Sequence, residues 1–390
     1  MAISTLGCID KTPVPGSFGY DLSFLTKQDP DLVTLQYGDS KMILSPKYQA
    51  KIFTSTADGD KSFGWIHYKA FDGPLDAHVN AYGGENRLWL GPEGGPFSLF
   101  FAKGTAMEFS NWHTPAAFDS EPWTLEKKSD SLAICSKAMQ LANYAGTNLS
   151  LEIKRTVTIL SPGSIEHWLG VSLDPAVKAV GYRTENTLTN TGMQAWDDST
   201  GMPCLWVLDM FPPSDHTTII IPYKGDSANR TVSNKPSTTD YFGEIPSDRI
   251  KYRNNVLFFK ADGKNRGKLG IHPAAASPVA GSYDAEKRVL TIILFDQDPL
   301  GRYLNQQWRT DLPPFSGDAM NAYNDGPLAD GSQMGPFYEL ESVSTAAFVP
   351  PGLSVTHRHS VFHFTGPEAQ LSAISTAILG VSLDQIKTIF

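Results

Sequence analysis

Cysteine is scarce in this chain. Cys8, Cys135 and Cys204 stand far apart in 390 residues, too few and too scattered for a zinc knuckle or a disulfide framework, which leaves at most one pairing. No stretch approaches the ~20 consecutive apolar residues of a membrane helix. The N-terminus MAISTLGCID has neither a basic n-region nor an apolar h-region. The expectation is a soluble chain without a membrane span; one that starts after a removed export signal would read the same, so the compartment stays open. Lys/Arg blocks and basic helix faces are also missing, and the net charge of −9 is spread along the sequence. Nothing here resembles a phosphate-tracking surface, which argues against a nucleic-acid partner. An acidic surface suits a neutral substrate, though it serves solubility equally well.

What the sequence does have is β-forming material. Runs rich in Val, Ile, Thr, Phe and Trp recur between Gly, Pro, Asn and Asp, as in Met42–Ser45, Lys51–Ser55, Ser98–Ala102, Ser150–Leu160, His167–Leu173, Thr217–Pro222, Asn255–Lys260 and Arg288–Phe295. The segment from Leu149 to Ile159 alternates apolar and polar residues along most of its length, the pattern of an antiparallel strand with one dry face. Helix signals gather at the C-terminus. Leu371, Ile374, Ile378 and Leu379 share one stripe that Gly380 can end, and Ser382 with Gln385 forms a capping box for a short helix over Leu383–Ile389. Leu312–Pro336 is the longest stretch that reads as irregular, and long loops in compact domains are often functional.

Four segments could carry chemistry. In Gly83–Gly95, glycines bracket Arg87, Trp89 and Glu93. No Gly-Lys-Ser/Thr follows, so this is not a phosphate loop. Arg87 could hold a sugar hydroxyl or ring oxygen while Trp89 or Trp112 offers an apolar face to a pyranose; two hairpins around a buried Arg-Glu pair would read the same way. His113, next to Trp112, titrates near neutrality and could exchange protons with a hydroxyl, although a lone histidine is more often structural. On a strand His357, His359, Val361 and His363 share one face. That spacing resembles the metal-binding strand of cupins without its following Glu, so a metal would need a ligand from elsewhere. Finally, Glu339 and Glu341 fall on one face of a strand, with Tyr338, Leu340 and Ser342 on the other. Two neighbouring carboxylates repel, which can raise one pKa toward the range of a general base; an exposed acidic face is the plainer reading.

Taken in order, these segments resemble the aldose 1-epimerase (galactose mutarotase) superfamily. Arg87 and His113 match its early binding Arg and His. Leu188-Thr189-Asn190-Thr191 matches the segment whose final His is the general acid, and here Thr191 stands in that place. Ile271-His272-Pro273 matches an Asp-His-Pro-like segment, with Ile271 in place of a substrate-binding Asp. Leu340-Glu341-Ser342, followed by Pro350-Pro351-Gly352 and a closing strand, matches the strand that bears the general base.

The resemblance implies an all-β fold, a galactose mutarotase-like β supersandwich of two large antiparallel sheets with short C-terminal helices. It implies one such domain over 1–390, with 366–390 a helical tail. Glu341 would be the base, with His272 or His113 as acid, and Arg87, Trp89, Glu93, Trp112 and Glu339 would bind a mono- or oligosaccharide in a concave cleft. Epimerase-like or glycoside hydrolase-like chemistry follows, with no cofactor and no metal. A non-catalytic carbohydrate-binding protein is the alternative suggested by Thr191, and a cupin-like metal-binding protein is the one suggested by the histidine row.

Overall fold

The computed structural model describes residues 13–225 and 236–390. Its strands in chain order are β1 (Val33–Tyr37), β2 (Ser40–Ser45), β3 (Lys51–Thr56), β4 (Arg87–Gly91), β5 (Thr124–Lys128), β6 (Leu132–Ala142), β7 (Asn148–Ile159), β8 (Lys178–Asn190), β9 (Cys204–Phe211) and β10 (Thr217–Pro222). They continue with β11 (Ser237–Thr238), β12 (Ile250–Arg253), β13 (Val256–Lys260), β14 (Gly267–Ile271), β15 (Val279–Asp284), β16 (Val289–Phe295), β17 (Met320–Asn324), β18 (Tyr338–Val343) and β19 (Ser354–Thr365). The α-helices are α1 (Phe18–Gln28), α2 (Pro162–Leu169), α3 (Glu368–Leu379) and α4 (Leu383–Lys387).

A ten-stranded sheet runs β12-β13-β10-β15-β16-β19-β8-β7-β6-β5, and a six-stranded sheet runs β11-β14-β17-β18-β9-β4, every neighbouring pair antiparallel. The alternation in β7 explains how they meet. Leu149, Leu151, Ile153, Val157 and Ile159 are buried and join one core with Leu205 and Val207 of β9 and Leu340 of β18, so the two sheets pack face to face. The other face of the ten-stranded sheet is apolar too. Ile220, Phe258, Ile292, Phe362 and Phe364 lie there under Leu371, Ile374, Leu379, Leu383 and Ile386 of α3 and α4. The sheet β1-β2-β3 and α1 close a smaller aromatic cluster around Phe18, Phe53 and Tyr82.

The interior also holds polar groups. Arg155, on the dry face of β7, is fully buried; its Nε donates to Ala50 O at 3.1 Å, its Nη1 to Asn186 Oδ1 at 2.8 Å, and its Nη2 to Asn86 Oδ1. Asn86 passes the contact on to Asp209 Oδ1 at 2.6 Å. Asp209 Oδ2 is 2.7 Å from His359 Nε2, while Ser342 Oγ sits 2.8 Å from both His359 Nδ1 and His357 Nε2. One set of neutral tautomers satisfies every link: His357 donates to Ser342, Ser342 to His359, and His359 to Asp209. His363 is held between Thr291 Oγ1 at 2.8 Å and Glu85 Oε1 at 3.1 Å, with Phe63 stacked on its ring. The expected shared face of these histidines is therefore real, but it is the inner face. Each imidazole is committed to hydrogen bonds, and among the described residues no group of three or more His, Cys, Asp or Glu is arranged to hold a metal. The cupin-like reading is corrected on that arrangement of donors.

Three segments fold differently from expectation. His167–Leu173 is not a strand: Pro162–Leu169 is α2, started by Ser161, whose hydroxyl accepts from Ser164 N, and ended by Gly170 at φ 67°. Ser98–Ala102 makes only an isolated bridge, Phe101 to Trp112. The stretch Leu312–Pro336 contains β17, a central strand of the smaller sheet. At the C-terminus, Gly380 ends α3 at φ 75° and the Ser382–Gln385 capping box is formed, with α4 closing at Lys387 rather than Ile389. Cys135 and Cys204 are buried and free, and Cys8 lies outside the described residues. No described helix is long and apolar enough to cross a membrane.

Candidate functional site

Alternation builds the site on the outer face of the six-stranded sheet. Since Tyr338 and Ser342 of β18 turn inward, to Ser282 and to the paired histidines, Glu339 and Glu341 must turn outward. The same face of β4 presents Arg87 and Trp89, β9 presents Trp206 and Leu208, and β14 presents Lys268. Register places Leu208 opposite both Arg87 and Glu341, and Tyr323 opposite both Glu339 and Lys268. Loops raise the walls with Glu93, Phe109, Trp112, Phe242 and Trp308. Gly94 lets one wall close: a Cβ there would lie 2.1 Å from Gln307 O. The cleft is open at its mouth and encloses about 120 Å³, small beside closed small-molecule sites.

Charges are paired along its floor. Arg87 Nη2 donates to Glu339 Oε1 at 2.7 Å, and the guanidinium lies 4.2 Å over the Trp89 ring. Lys268 Nζ donates to Glu341 Oε2 at 3.0 Å, lies 4.6 Å over Trp206, and shares that oxygen with Trp206 Nε1 at 2.8 Å. Burial opposes the lysine's charge, but Glu341, Glu93 and Glu339 outweigh it and hold the ammonium pKa above its ordinary value. Burial pushes the Glu93 carboxyl up; Lys268 pulls it back and Glu341 adds to the rise, leaving it raised. Glu339 is raised as well, by burial against the pull of Arg87 and with the push of Glu341. Glu341 Oε1, Arg87 Nε and Trp112 Nε1 are buried and have no hydrogen-bond partner among the described residues.

The structure thus brings together Arg87, Trp89, Glu93, Trp112 and Glu339 as lining. Glu341 belongs to the same cluster but sits beneath the floor, with no exposed surface. His113 does not join. It follows Trp112 in the chain and is exposed, its Nδ1 2.7 Å from Ala77 O and its ring 4.4 Å from that of His78. His272 continues the β14 face beyond Lys268 and pairs through Nδ1 with Asp318 Oδ1 at 2.9 Å. Asp318 also accepts from Tyr241 OH at 2.8 Å, and Tyr241 lies 5.7 Å from Lys268, so His272 reaches the floor only through two intervening side chains. Gly270 makes room, since a Cβ there would meet Asp318 Oδ2 at 2.0 Å.

The two apparent gaps in the family pattern lie elsewhere. Thr191 is exposed just past β8, in the ten-stranded sheet, and does not line the cleft. Ile271 packs into the core between the sheets, so a carboxylate there would be buried without facing a ligand. Lys268, Trp206, Trp308, Arg266 and Tyr323 were not foreseen. Only Lys268 left a readable trace, two residues from Gly270 and four from His272 on one strand face.

With the geometry in hand, comparisons place the chain. The model of a family described as "Family of unknown function (DUF6786)" matches residues 16–390. The chain belongs to this family. A search of curated proteins gave no match for this DUF6786 member. Among solved structures it is similar to a candidate aldose 1-epimerase of Escherichia coli K12, at 13% identity and a TM-score of 0.50, over 85% of this chain and 98% of the other. It is also similar to a galactose mutarotase-like protein from Lactobacillus casei, at 12% identity and a TM-score of 0.48, over 85% and 99%. The fold of this DUF6786 member is the galactose mutarotase-like supersandwich, a divergent branch of that architecture.

Proposed function

We propose that this protein binds a sugar in the cleft on the six-stranded sheet and handles it by acid/base chemistry. The observation that carries the reading is the convergence of Glu93, Glu339 and the Arg87 and Lys268 cations with Trp89, Trp112, Trp206 and Trp308 on one concave face. Indole faces suit the apolar side of a pyranose, and fixed charged groups suit its hydroxyls.

In an epimerase-like reaction an acid protonates the ring oxygen while a base takes the proton of the anomeric hydroxyl, and the ring C–O bond breaks as the C=O forms. Glu93, whose carboxyl burial and Glu341 keep toward the protonated form, suits the acid. Glu339 suits the acceptor, with one oxygen on Arg87 and Glu341 behind it as a fixed negative charge. Titration calorimetry against mono- and disaccharides tests the binding, and a flat response to every sugar would sink it.

A second reading, a binding protein without turnover, is favoured by the burial of Glu341 and by its engagement with Lys268 and Trp206. Polarimetry on freshly dissolved α-glucose and α-galactose separates the two. Faster anomerisation that disappears in Glu93→Gln supports chemistry; an unchanged rate with measurable binding supports the module.

A further inference from the structure

The outward face of β14 and its flanks carries three basic residues, Arg266, Lys268 and His272, at every second or fourth position. Two are partnered in place, Lys268 by Glu341 and His272 by Asp318. Arg266 has no such partner. It is exposed and lines the cleft, and among the described residues no carboxylate lies within ion-pair distance of it.

Yet this arginine is anchored. Its guanidinium stacks 3.8 Å over the Phe242 ring, and its Nε donates to Tyr323 OH at 3.3 Å; Tyr323 in turn donates to Asp325 Oδ1 at 3.0 Å. Stacking and one hydrogen bond fix the plane of the fork, and its two terminal nitrogens have no hydrogen-bond partner among the described residues. A pre-oriented, unpaired guanidinium at the wall of a cleft is the arrangement that takes a planar or tetrahedral oxyanion through two parallel hydrogen bonds. A flexible surface arginine would lack both constraints.

The other cations of the cleft are already taken: Arg87 is paired with Glu339 and Lys268 with Glu341, which leaves Arg266 as the cleft cation without an ion-pair partner among the described residues.

We propose that the sugar bound here carries one acidic substituent, a carboxylate or a phosphate, which docks on the Arg266 fork while the ring lies among the tryptophans. This inference rests on the sugar-binding reading above, and sharpens it from sugars in general to anionic ones.

The test is calorimetry on the full chain with matched ligands: D-galactose and D-glucose, D-galacturonate and D-glucuronate, and D-glucose 6-phosphate. The expected result is that at least one acidic sugar binds about tenfold or more tightly than its neutral parent, with a preference that shrinks as ionic strength rises. The ranking of uronate against phosphate identifies the substituent. Arg266→Gln should bring acidic-sugar affinity down to the neutral-sugar level, and Arg266→Lys should recover part of the preference. Because Arg266 is exposed, an unchanged melting temperature certifies that the variants fold. Equal binding of neutral and acidic sugars, or a preference that survives in Arg266→Gln, overturns the anionic ligand and leaves the sugar cleft standing. No binding by any of the five overturns the cleft reading and this inference with it.

Discussion

A lysine buried against a glutamate is held by what each would suffer alone. Lys268 and Glu341 have almost no exposed side-chain surface, and Trp206 bonds to the same carboxylate oxygen. Removing the cation strands a buried negative charge, so Lys268→Met should destabilise the fold by about 3–5 kcal/mol. Urea unfolding checks this, and the double variant Lys268→Met with Glu341→Gln should recover much of the loss; a double variant no better than the single one would mean that packing, not charge, holds the pair. At this scale the sequence was half legible. Period two assigned Glu339 and Glu341 to one face, and that is where they lie. It could not show that Glu339 meets Arg87 across an intervening strand, because that contact depends on the order β18-β9-β4. Nor could it show that the face of Trp112 excludes its neighbour His113.

At the scale of the element, β19 has the sharper consequence. His357 is buried with no room for a proton's charge, and burial together with the neighbouring His359 lowers its pKa to about 3. An unfolded histidine takes up its proton near pH ~6.5. The unfolded chain therefore binds more protons between these values, and the stability due to a neutral His357 is fully present above the upper one and is lost as pH falls toward the lower. The acid limb of the melting-temperature profile should be steep over that window and become shallower in His357→Gln. A profile unaffected by the substitution would remove His357 as its source. The same strand shows why alternation alone misleads: it reports that three histidines share a face, not whether that face meets solvent, a metal or another sheet. The opposing strands, Ser342 and Asp209, decide. α2 was missed for a local reason. The β-like residues of His167–Leu173 favour a strand, while Ser161-Pro162, a cap followed by a first-turn proline, sets that stretch as a helix.

For the whole molecule, the ten-stranded sheet has apolar residues on both faces, and only one faces the second sheet. The other depends on the last two helices, where Leu371, Ile374, Leu379, Leu383 and Ile386 cover Phe362, Phe364 and Ile292. Ending the chain after Gly366 should expose that surface and give a protein that aggregates or binds a hydrophobic dye, measured by light scattering and dye fluorescence. A soluble, dye-silent truncation would show that the helices are dispensable. The antiparallel strands and the final helices were legible because both rest on periodicity, and the supersandwich through the family resemblance; sheet order, which brings segments from Arg87 to Glu341 into one cleft, rests on contacts that a linear reading does not contain.

The two faces of β18 also bear on how such a protein can change over generations. Position 339 lines the cleft and 341 lies beneath its floor, while 338, 340 and 342 hold the sheets together. The residue at 339 can change over generations while the inward ones, and the buried Lys268–Glu341 pair, keep the architecture intact. A laboratory library confined to Arg87, Glu93, Arg266 and Glu339 would explore new specificities on an inherited frame.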